Sequence, residues 1–459
     1  MVEEKVIGRF LLSGKLRLET PLLIGYGEKS ATDCLVLKDT EGIPYIPGSS
    51  IGGVLRHQFE CLTESCFPPE QAAKFWGSAK EEKGVQAFQS SFFVSDLRPL
   101  NKPRIVVRDG VAINEWGVAE DQKKFDYEVV EPGIDFRFRA EVLLRKAFDK
   151  DIFIKIITLI INGLEKGEIS LGAMTTKGFG RCCLMEAECL EFDFRKKADV
   201  LNWLAGETGQ VSRLPLKELA AQINELKAPQ DLLLEVALAI KNSLLIKSYS
   251  RRPQDPDAVH ITSNGQAILP GTSIKGALRA RAERIVKTLG GSTDSLKELF
   301  GWAPNSKEDQ SDRRKSRFIV EESIIQEAMT VKEQQTRIRI DRFTGGVIDG
   351  ALFNSMPLWP KDPTNPMAVI KIRIKNCNPW EAGLLMLVLK DLWTADLPIG
   401  GEKSIGRGVF RGITAKIRYE ENEYCISENN GALQIKGEPE DLEKWVTALH
   451  EFCGCKEEL

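Results

Sequence analysis

One short segment occurs twice in this chain, and no other feature constrains the fold as strongly. Ile46-Pro47-Gly48-Ser49-Ser50-Ile51-Gly52-Gly53-Val54-Leu55-Arg56 recurs as Leu269-Pro270-Gly271-Thr272-Ser273-Ile274-Lys275-Gly276-Ala277-Leu278-Arg279, with identical internal spacing. Self-similarity of this kind marks a duplicated structural unit. The flanks repeat as well. A strand-like run precedes each motif, Gly14 to Gly25 and Leu232 to Lys247, and each contains Leu-Leu-Ile (Leu22 to Ile24, Leu244 to Ile246). An amphipathic helix pattern follows each, on Ile51, Val54, Leu55, Gln58 and Leu62 in the first copy and on Ile274, Ala277, Leu278, Ala282 and Ile285 in the second. Ser49/Ser50 and Thr272/Ser273 suit the N-caps of these helices, and the Pro-Gly before them ends a strand.

A second helical pattern comes later in each copy, about Arg145 to Lys166 and about Pro379 to Thr394. Each leads into a glycine-rich loop, Gly172 to Arg181 and Gly400 to Gly408, and then a strand, Arg181 to Met185 or Val409 to Ile417. The order strand, hairpin, helix, long insert, helix, glycine loop, strand predicts an α+β chain of two tandem ferredoxin-like, RRM-like βαββαβ domains. The inserts, roughly Phe92 to Gly133 and Phe318 to Pro366, are long enough to carry hairpins of their own. Their centres align as Val107-Arg108-Asp109-Gly110 against Ile340-Asp341-Arg342-Phe343. A chain of 459 residues has room for two such domains. The boundaries expected are 1–191 and 230–419, with a helical connector at 192–229 and an acidic appendage at 420–459.

Composition narrows the class further. Hydrophobic residues make up 42% and charged residues 28%, which fits a soluble globular chain. The longest apolar run, Ile152 to Ile161, is broken by Lys155 and is too short to span a bilayer. The first residues lack a signal-peptide layout, so a cytoplasmic location without membrane contact is expected. The chain has 10 Cys but only 3 His and no C-x-x-C spacing, which argues against zinc and for reduced, buried thiols. A net charge of −3 does not advertise nucleic-acid binding. The positive charge is clustered, however, at Arg279, Arg281 and Arg284, at Arg313, Arg314, Lys315 and Arg317, and at Arg337, Arg339 and Arg342; such patches can form a phosphate track, and any one of them can equally be a solvated face.

The doubled Pro-Gly-Ser/Thr-Ser…Gly-x-Leu-Arg motif, with a glycine-rich loop before the last strand, resembles the RAMP superfamily (repeat-associated mysterious proteins). The stretch from Asp33 through Gly42 to Pro44-Tyr45-Ile46-Pro47-Gly48-Ser49-Ser50 is similar to the backbone subunits of type III CRISPR effectors. Two such domains in one chain look like the fused subunits of the type III-D branch. The resemblance implies a subunit that holds CRISPR RNA alongside other RAMP-family subunits. It implies a thumb-like hairpin in each domain that displaces one nucleotide of the guide–target duplex. It also implies metal-dependent cutting of the complementary target RNA at a loop aspartate, leaving a cyclic phosphate and a 5′-hydroxyl.

Asp33 is the loop aspartate of the first copy. A carboxylate near RNA is electrostatically unfavourable unless it binds a divalent ion or deprotonates a ribose 2′-hydroxyl. One carboxylate holds Mg²⁺ or Mn²⁺ weakly, so RNA phosphates are expected to complete the ion's shell. In the second copy, counting from Leu-Leu-Ile points to Asp255, whereas counting back from the turn at Gly265 points to Asp257. Strand register favours Asp257. His260 reads as structural. The expected RNA contacts are Ser49, Ser50, Arg56, Lys177 and Arg181 in the first copy. In the second they are Arg251, Arg252, Thr272, Ser273, Lys275, Arg279, Lys403 and Arg407. The Pro-Gly turns would offer helix N-terminal amides to phosphate, and the glycine loops would let RNA approach the main chain. A non-catalytic scaffold of the same complex and a standalone repeat-RNA processing endonuclease are the alternative readings.

Overall fold

The computed structural model describes residues 5–26, 34–63, 67–78, 87–114, 117–223, 230–248, 255–302, 313–429 and 432–454. They form two compact units. The first comprises Met1–Gly110, Phe125–Thr175 and Phe179–Lys227, and the second Val111–Lys124, Thr176–Gly178 and Ala228–Leu459.

The first copy runs β1 (Val6–Leu18), β2 (Gly25–Tyr26), β3 (Leu35–Val36), α1 (Gly48–Thr63), α2 (Pro69–Trp76), β4 (Phe92–Val94), β5 (Ile105–Ile113), β6 (Ala119–Val130), β7 (Asp135–Arg145), α3 (Lys150–Glu165) and β8 (Cys182–Asp193). Then follow α4 (Lys197–Ala205), β9 (Ser212–Arg213) and α5 (Leu216–Ile223). The main sheet is antiparallel, in the order β4-β7-β1-β8-β9. Its first four strands, in the spatial order second, third, first and fourth of a βαββαβ core, are the ferredoxin-like arrangement. Strand β1 alternates because one face of the sheet is covered: Phe10, Leu12, Leu16 and Leu18 are buried with Phe153, Ile156, Ile157 and Ile160 of α3. The other face carries paired charges, among them Arg9–Glu141 at 2.9 Å, Lys15–Glu186 at 2.8 Å and Arg17–Asp135 at 2.8 Å. The segment expected as a connector packs within this unit, β9 pairing with β8 and α5 lying against α3.

The second copy repeats the plan: β10 (Leu232–Ile240), β11 (Lys247–Ser248), β12 (Ala258–His260), β13 (Thr262–Ser263), β14 (Gln266–Leu269), α6 (Gly271–Thr288), α7 (Leu296–Phe300), β15 (Phe318–Val320), β16 (Ser323–Ile324), β17 (Thr330–Lys332), β18 (Gln335–Ile340), β19 (Val347–Met356), β20 (Leu358–Pro360), β21 (Ala368–Ile374), α8 (Pro379–Trp393) and β22 (Phe410–Tyr419). The residues after 419 continue the sheet and add a helix to it. β23 (Asn422–Asn429) and β24 (Ala432–Lys436) extend the sheet to β15-β21-β10-β22-β23-β24, and α9 (Pro439–Phe452) packs on α8. Trp445 of α9 meets Tyr419 and Tyr424 edge-on, and Phe452 stacks on Trp380 at 4.1 Å.

Two expected boundaries shift. Residue Arg145 ends a strand, and α3 begins only at Lys150, where Asp149 caps it by accepting from the Asp151 and Ile152 amides. The helix motifs also begin earlier than expected. Helix α1 starts at Gly48, and the N-cap of α6 is Pro270, so Ser49, Ser50, Thr272 and Ser273 lie inside the first turn rather than capping it. Proline sets φ near its helical entry value, and its carbonyl takes the first helical bonds. Ser50 and Ile51 donate to Pro47 O, and Ser273 and Ile274 to Pro270 O.

The duplication reaches further than the sequence reading saw. Gly77 and Gly301 both end a helix at φ 83°, ψ 154°. Ser90 Oγ donates to Phe75 O and Phe92 O and accepts from Phe92 N. Ser316 Oγ makes the same set with Leu299 O, Phe318 O and Phe318 N.

Candidate nucleic-acid interface

The register brings the repeated motifs to one end of each sheet. In the first unit β8 begins at Cys182 opposite Leu18, so the glycine loop opens where β1 ends. Helix α1 starts towards that same end, with Ile46 bridging Leu97 and Pro99 bridging Phe136. In the second unit β22 begins at Phe410 opposite Ile240, and Ile325 N donates to Ala267 O beside the motif while Met367 N donates to Leu238 O.

The inserted hairpins are sewn to this end. Leu22 bridges Val130 at the base of β5/β6, and Leu244 exchanges both backbone bonds with Leu358, just beyond β19. Cys34 pairs in parallel with Tyr127, as Ala258 does with Ser355. The second hairpin has two faces. Arg337 and Phe353 sit opposite each other on one, Ile338 and Leu352 on the other, and Phe343 at the tip is 99% exposed. The alignment of Arg108 with Asp341 does not hold. Arg108 lies within β5, whereas Asp341 closes the tip, accepting from the Phe343 and Thr344 amides.

The same register relates the two copies around the candidate aspartates. Gly25 pairs with Val36 and Tyr26 with Leu35; Lys247 pairs with His260 and Ser248 with Val259. Cys34 and Ala258 are therefore equivalent, and Asp33 and Asp257 each stand one residue before them. Asp255 is two residues further away along an intervening loop that is longer in this copy. Asp257 is exposed, and its Oδ2 accepts from Asn354 N of β19 at 2.8 Å. Asp33, Arg251 and Arg252 lie outside the described residues. His260 is 5% exposed; its Nδ1 accepts from Ile246 N at 3.2 Å and its Nε2 is 2.9 Å from Ile268 O. It ties β12 to its neighbours.

The helix N-termini and their arginines are already engaged. Gly48 N donates to Asp96 Oδ1 at 2.8 Å, which occupies one of the amides expected to face phosphate. Ser49 is exposed, and Ser50, Thr272 and Ser273 are partly so. Arg56 pairs with Glu60 at 2.9 Å, and Arg279 pairs with Glu283 at 2.8 Å, both one helical turn on and both partly open to solvent. Pairs of this kind hold together by only about 0.3–0.5 kcal/mol, so a phosphate can compete for either arginine. Lys275 is not available to RNA as the sequence suggested. It is 6% exposed, and Nζ donates to Ser316 Oγ and Phe318 O, both at 2.7 Å. Burial pushes its amine down to about 7, with the charges of Lys177 and Arg279 adding to the shift. Lys177, grouped with the second unit, is lowered by its burial and then by Arg279.

The glycine loops superpose by backbone angle rather than by basic residue. Gly172, Met174, Gly178 and Gly180 have φ 79°, 57°, 89° and 72°; Gly400, Glu402, Gly406 and Gly408 have 106°, 57°, 83° and 73°. Gly180 and Gly408 are obligatory, because a Cβ would lie 1.8 Å from Leu171 O and 2.0 Å from Ile399 O. In this alignment Arg407 matches Phe179, and Arg181 matches Val409. Arg181 pairs with Glu19 at 2.8 Å, partly exposed. Arg407 is 2% exposed, which removes it from direct RNA contact; its Nε lies 3.0 Å from Glu402 and its NH2 donates to Gln335 at 2.6 Å. Lys403 is exposed on the loop. Glu402, which sequence reasoning passed over, also meets Arg337 at 2.7 Å and Lys247 at 3.3 Å. Burial alone would raise its carboxyl, but Arg337, Arg407 and Lys247 hold it below the usual carboxylate range.

Fold and site define a tandem pair of ferredoxin-like units, each with a glycine loop, a Pro-Gly helix start and an inserted hairpin at one end. The RAMP superfamily model matches residues 15–183 and 238–411, and the chain belongs to that superfamily. Membership supports a CRISPR-associated, RNA-binding role. No curated protein matches the chain. Among the described residues, no helix is long and apolar enough to cross a membrane.

Proposed function

We propose that the chain is a guide-holding backbone subunit of a type III CRISPR effector, of the fused type III-D kind, that cuts complementary target RNA at Asp33 and Asp257. The observation that carries this reading is the shared register. In the sequence an aspartate stands one residue before Cys34 and before Ala258, the equivalent residues that pair in parallel with the inserted hairpins. The guide would lie along Ser49, Ser50, Arg56, Lys177 and Arg181, and along Thr272, Ser273, Arg279 and Lys403, with Arg251 and Arg252 nearby in sequence. Neighbouring RAMP-family subunits would continue the track.

An aspartate in this position can take the proton of a ribose 2′-hydroxyl. The freed oxygen then attacks the adjacent phosphorus, the P–O5′ bond breaks and the leaving oxygen takes a proton from water to depart as a 5′-hydroxyl, with a 2′,3′-cyclic phosphate left behind. Among the described residues no group of three His, Cys, Asp or Glu can hold a metal ion, and one oxygen of Asp257 is engaged by Asn354. Asp257 would thus hold Mg²⁺ or Mn²⁺ as a single carboxylate ligand beside RNA phosphates. When bound, the ion would neutralise charge on the phosphate.

The test is the product ladder of a complementary RNA cut by the assembled complex carrying Asp33→Ala, Asp257→Ala or both. Each single change is expected to remove its own set of bands. A non-catalytic scaffold is the second reading, favoured by the Asp257–Asn354 bond, which gives that carboxylate a structural task. An intact ladder in the double variant supports the scaffold. A repeat-RNA processing enzyme would rely on histidine for proton transfer; both ring nitrogens of His260 are engaged, and none of His57, His260 and His450 lies in a glycine loop.

A further inference from the structure

The glycine loop and the thumb hairpin of each copy touch, and the two copies make that contact with different chemistry. In the first copy the loop residues Met174 and Phe179 join an apolar cluster with Leu23, Tyr127 and Val129. Arg108 of β5 lies over the Phe179 ring at 5.6 Å. In the second copy Glu402 and Arg407 occupy the matching loop positions. Glu402 gathers Arg337 of β18, Lys247 of β11 and Arg407 itself, and Arg407 reaches Gln335 of β18.

Strand β18 is the edge of the sheet β11-β12-β19-β18, so among the described residues its backbone pairs only with β19. Among the described residues, the ion pair that ties β18 to anything outside its own hairpin is Arg337–Glu402. Main-chain bonds hold the loop itself in place, Gly401 N donating to Leu245 O and Gly408 N to Ser243 O. Glu402 is thus a fixed point on which the free arm of the hairpin is fastened.

We propose that Glu402 is a positioning residue. It clamps the second thumb to its glycine loop electrostatically, where the first copy uses apolar and cation–π packing. The functional consequence rests on the reading that the hairpin displaces a nucleotide; the clamp itself does not. Hydration and salt weaken an ionic clamp far more than an apolar one, so high salt should release the second thumb before the first.

Amide hydrogen exchange of the free full-length chain tests this. In Glu402→Gln, exchange in 335–340 is expected to speed up on the order of tenfold, the worth of one charge-assisted hydrogen bond. Exchange in 105–110 should stay unchanged. Molar salt should do the same to the wild type. The double variant Glu402→Met/Arg407→Phe installs the first copy's residues, so it should restore protection of 335–340 and abolish its salt response. Unchanged exchange in Glu402→Gln would overturn the clamp, as would a salt response equal in both hairpins. In the assembled complex, Glu402→Gln should weaken the bands assigned to Asp257 and spare those assigned to Asp33. A chain that shows the exchange pattern yet binds no RNA supports the clamp and refutes the functional reading alone.

Discussion

Acidification from pH 7 to pH 5 should unfasten the second unit at a single side chain, His260. The ring is buried and accepts at Nδ1 from Ile246 N while Nε2 faces Ile268 O, so the neutral Nε2–H form satisfies both contacts. A proton on Nδ1 would point at another donor. Burial pushes the pKa from 6.5 down to about 4; the backbone partners oppose this in part and the charge of Lys332 adds to it. The folded value lies below the unfolded one. The associated stability is therefore complete above about pH 6.5 and is lost as pH falls towards 4. A shift of this size is worth about 3 kcal/mol in full, of which about 2 kcal/mol is lost by pH 5. Urea unfolding of the wild type and His260→Gln can be followed by fluorescence of Trp359, Trp380, Trp393 and Trp445. The wild-type advantage should shrink by about 2 kcal/mol between pH 7 and pH 5. Lys275 titrates in both chains and cancels. An advantage that stays constant with pH would refute the argument and would mean that the imidazole is not held neutral.

Other outcomes follow from the same contacts. Gly180→Ala and Gly408→Ala each force a Cβ onto a carbonyl oxygen at positive φ, so each should cost about 3 kcal/mol or more, read as a fall in Tm. Lys275→Met should be near neutral below pH 7 and should lose ground to wild type as pH rises towards 10. The native amine is favoured over its unfolded form only as it sheds its proton, and its folded pKa of about 7 lies below the ordinary 10.5. Glu60→Gln and Glu283→Gln should each change stability by less than about 0.5 kcal/mol. Both should tighten guide RNA binding at low salt, measured by filter binding, because Arg56 and Arg279 lose their competing carboxylates.

Much of the plan was legible in the residues because a duplicated motif carries its own control. The doubled Pro-Gly turn, the matched glycine loops and the paired long inserts are local patterns, and each folds as the same element in both copies. The Ser90 and Ser316 bridges escaped notice because their partners, Phe75 with Phe92 and Leu299 with Phe318, span a segment of variable length. The signal was there, as an aromatic or leucine near Gly77 and Gly301 and a serine two residues before Phe92 and Phe318. Glu402 was invisible for a different reason. Arg407 shares its loop, but Lys247 and Arg337 come from two separate segments, and only chain folding brings them to one carboxylate.

The sequence by itself determined the repeat, the two ferredoxin-like units and which side chains are chemically able to meet RNA, since these rest on residue type and spacing along the chain. Tertiary structure alone decided which of those side chains are buried. Lys275 and Arg407 look like phosphate ligands by type, but both are buried, Lys275 donating to Ser316 and Phe318 and Arg407 to Gln335. It also made Cys34 and Ala258 equivalent, because pairing between strands, and not distance along the chain, sets the register of the two copies.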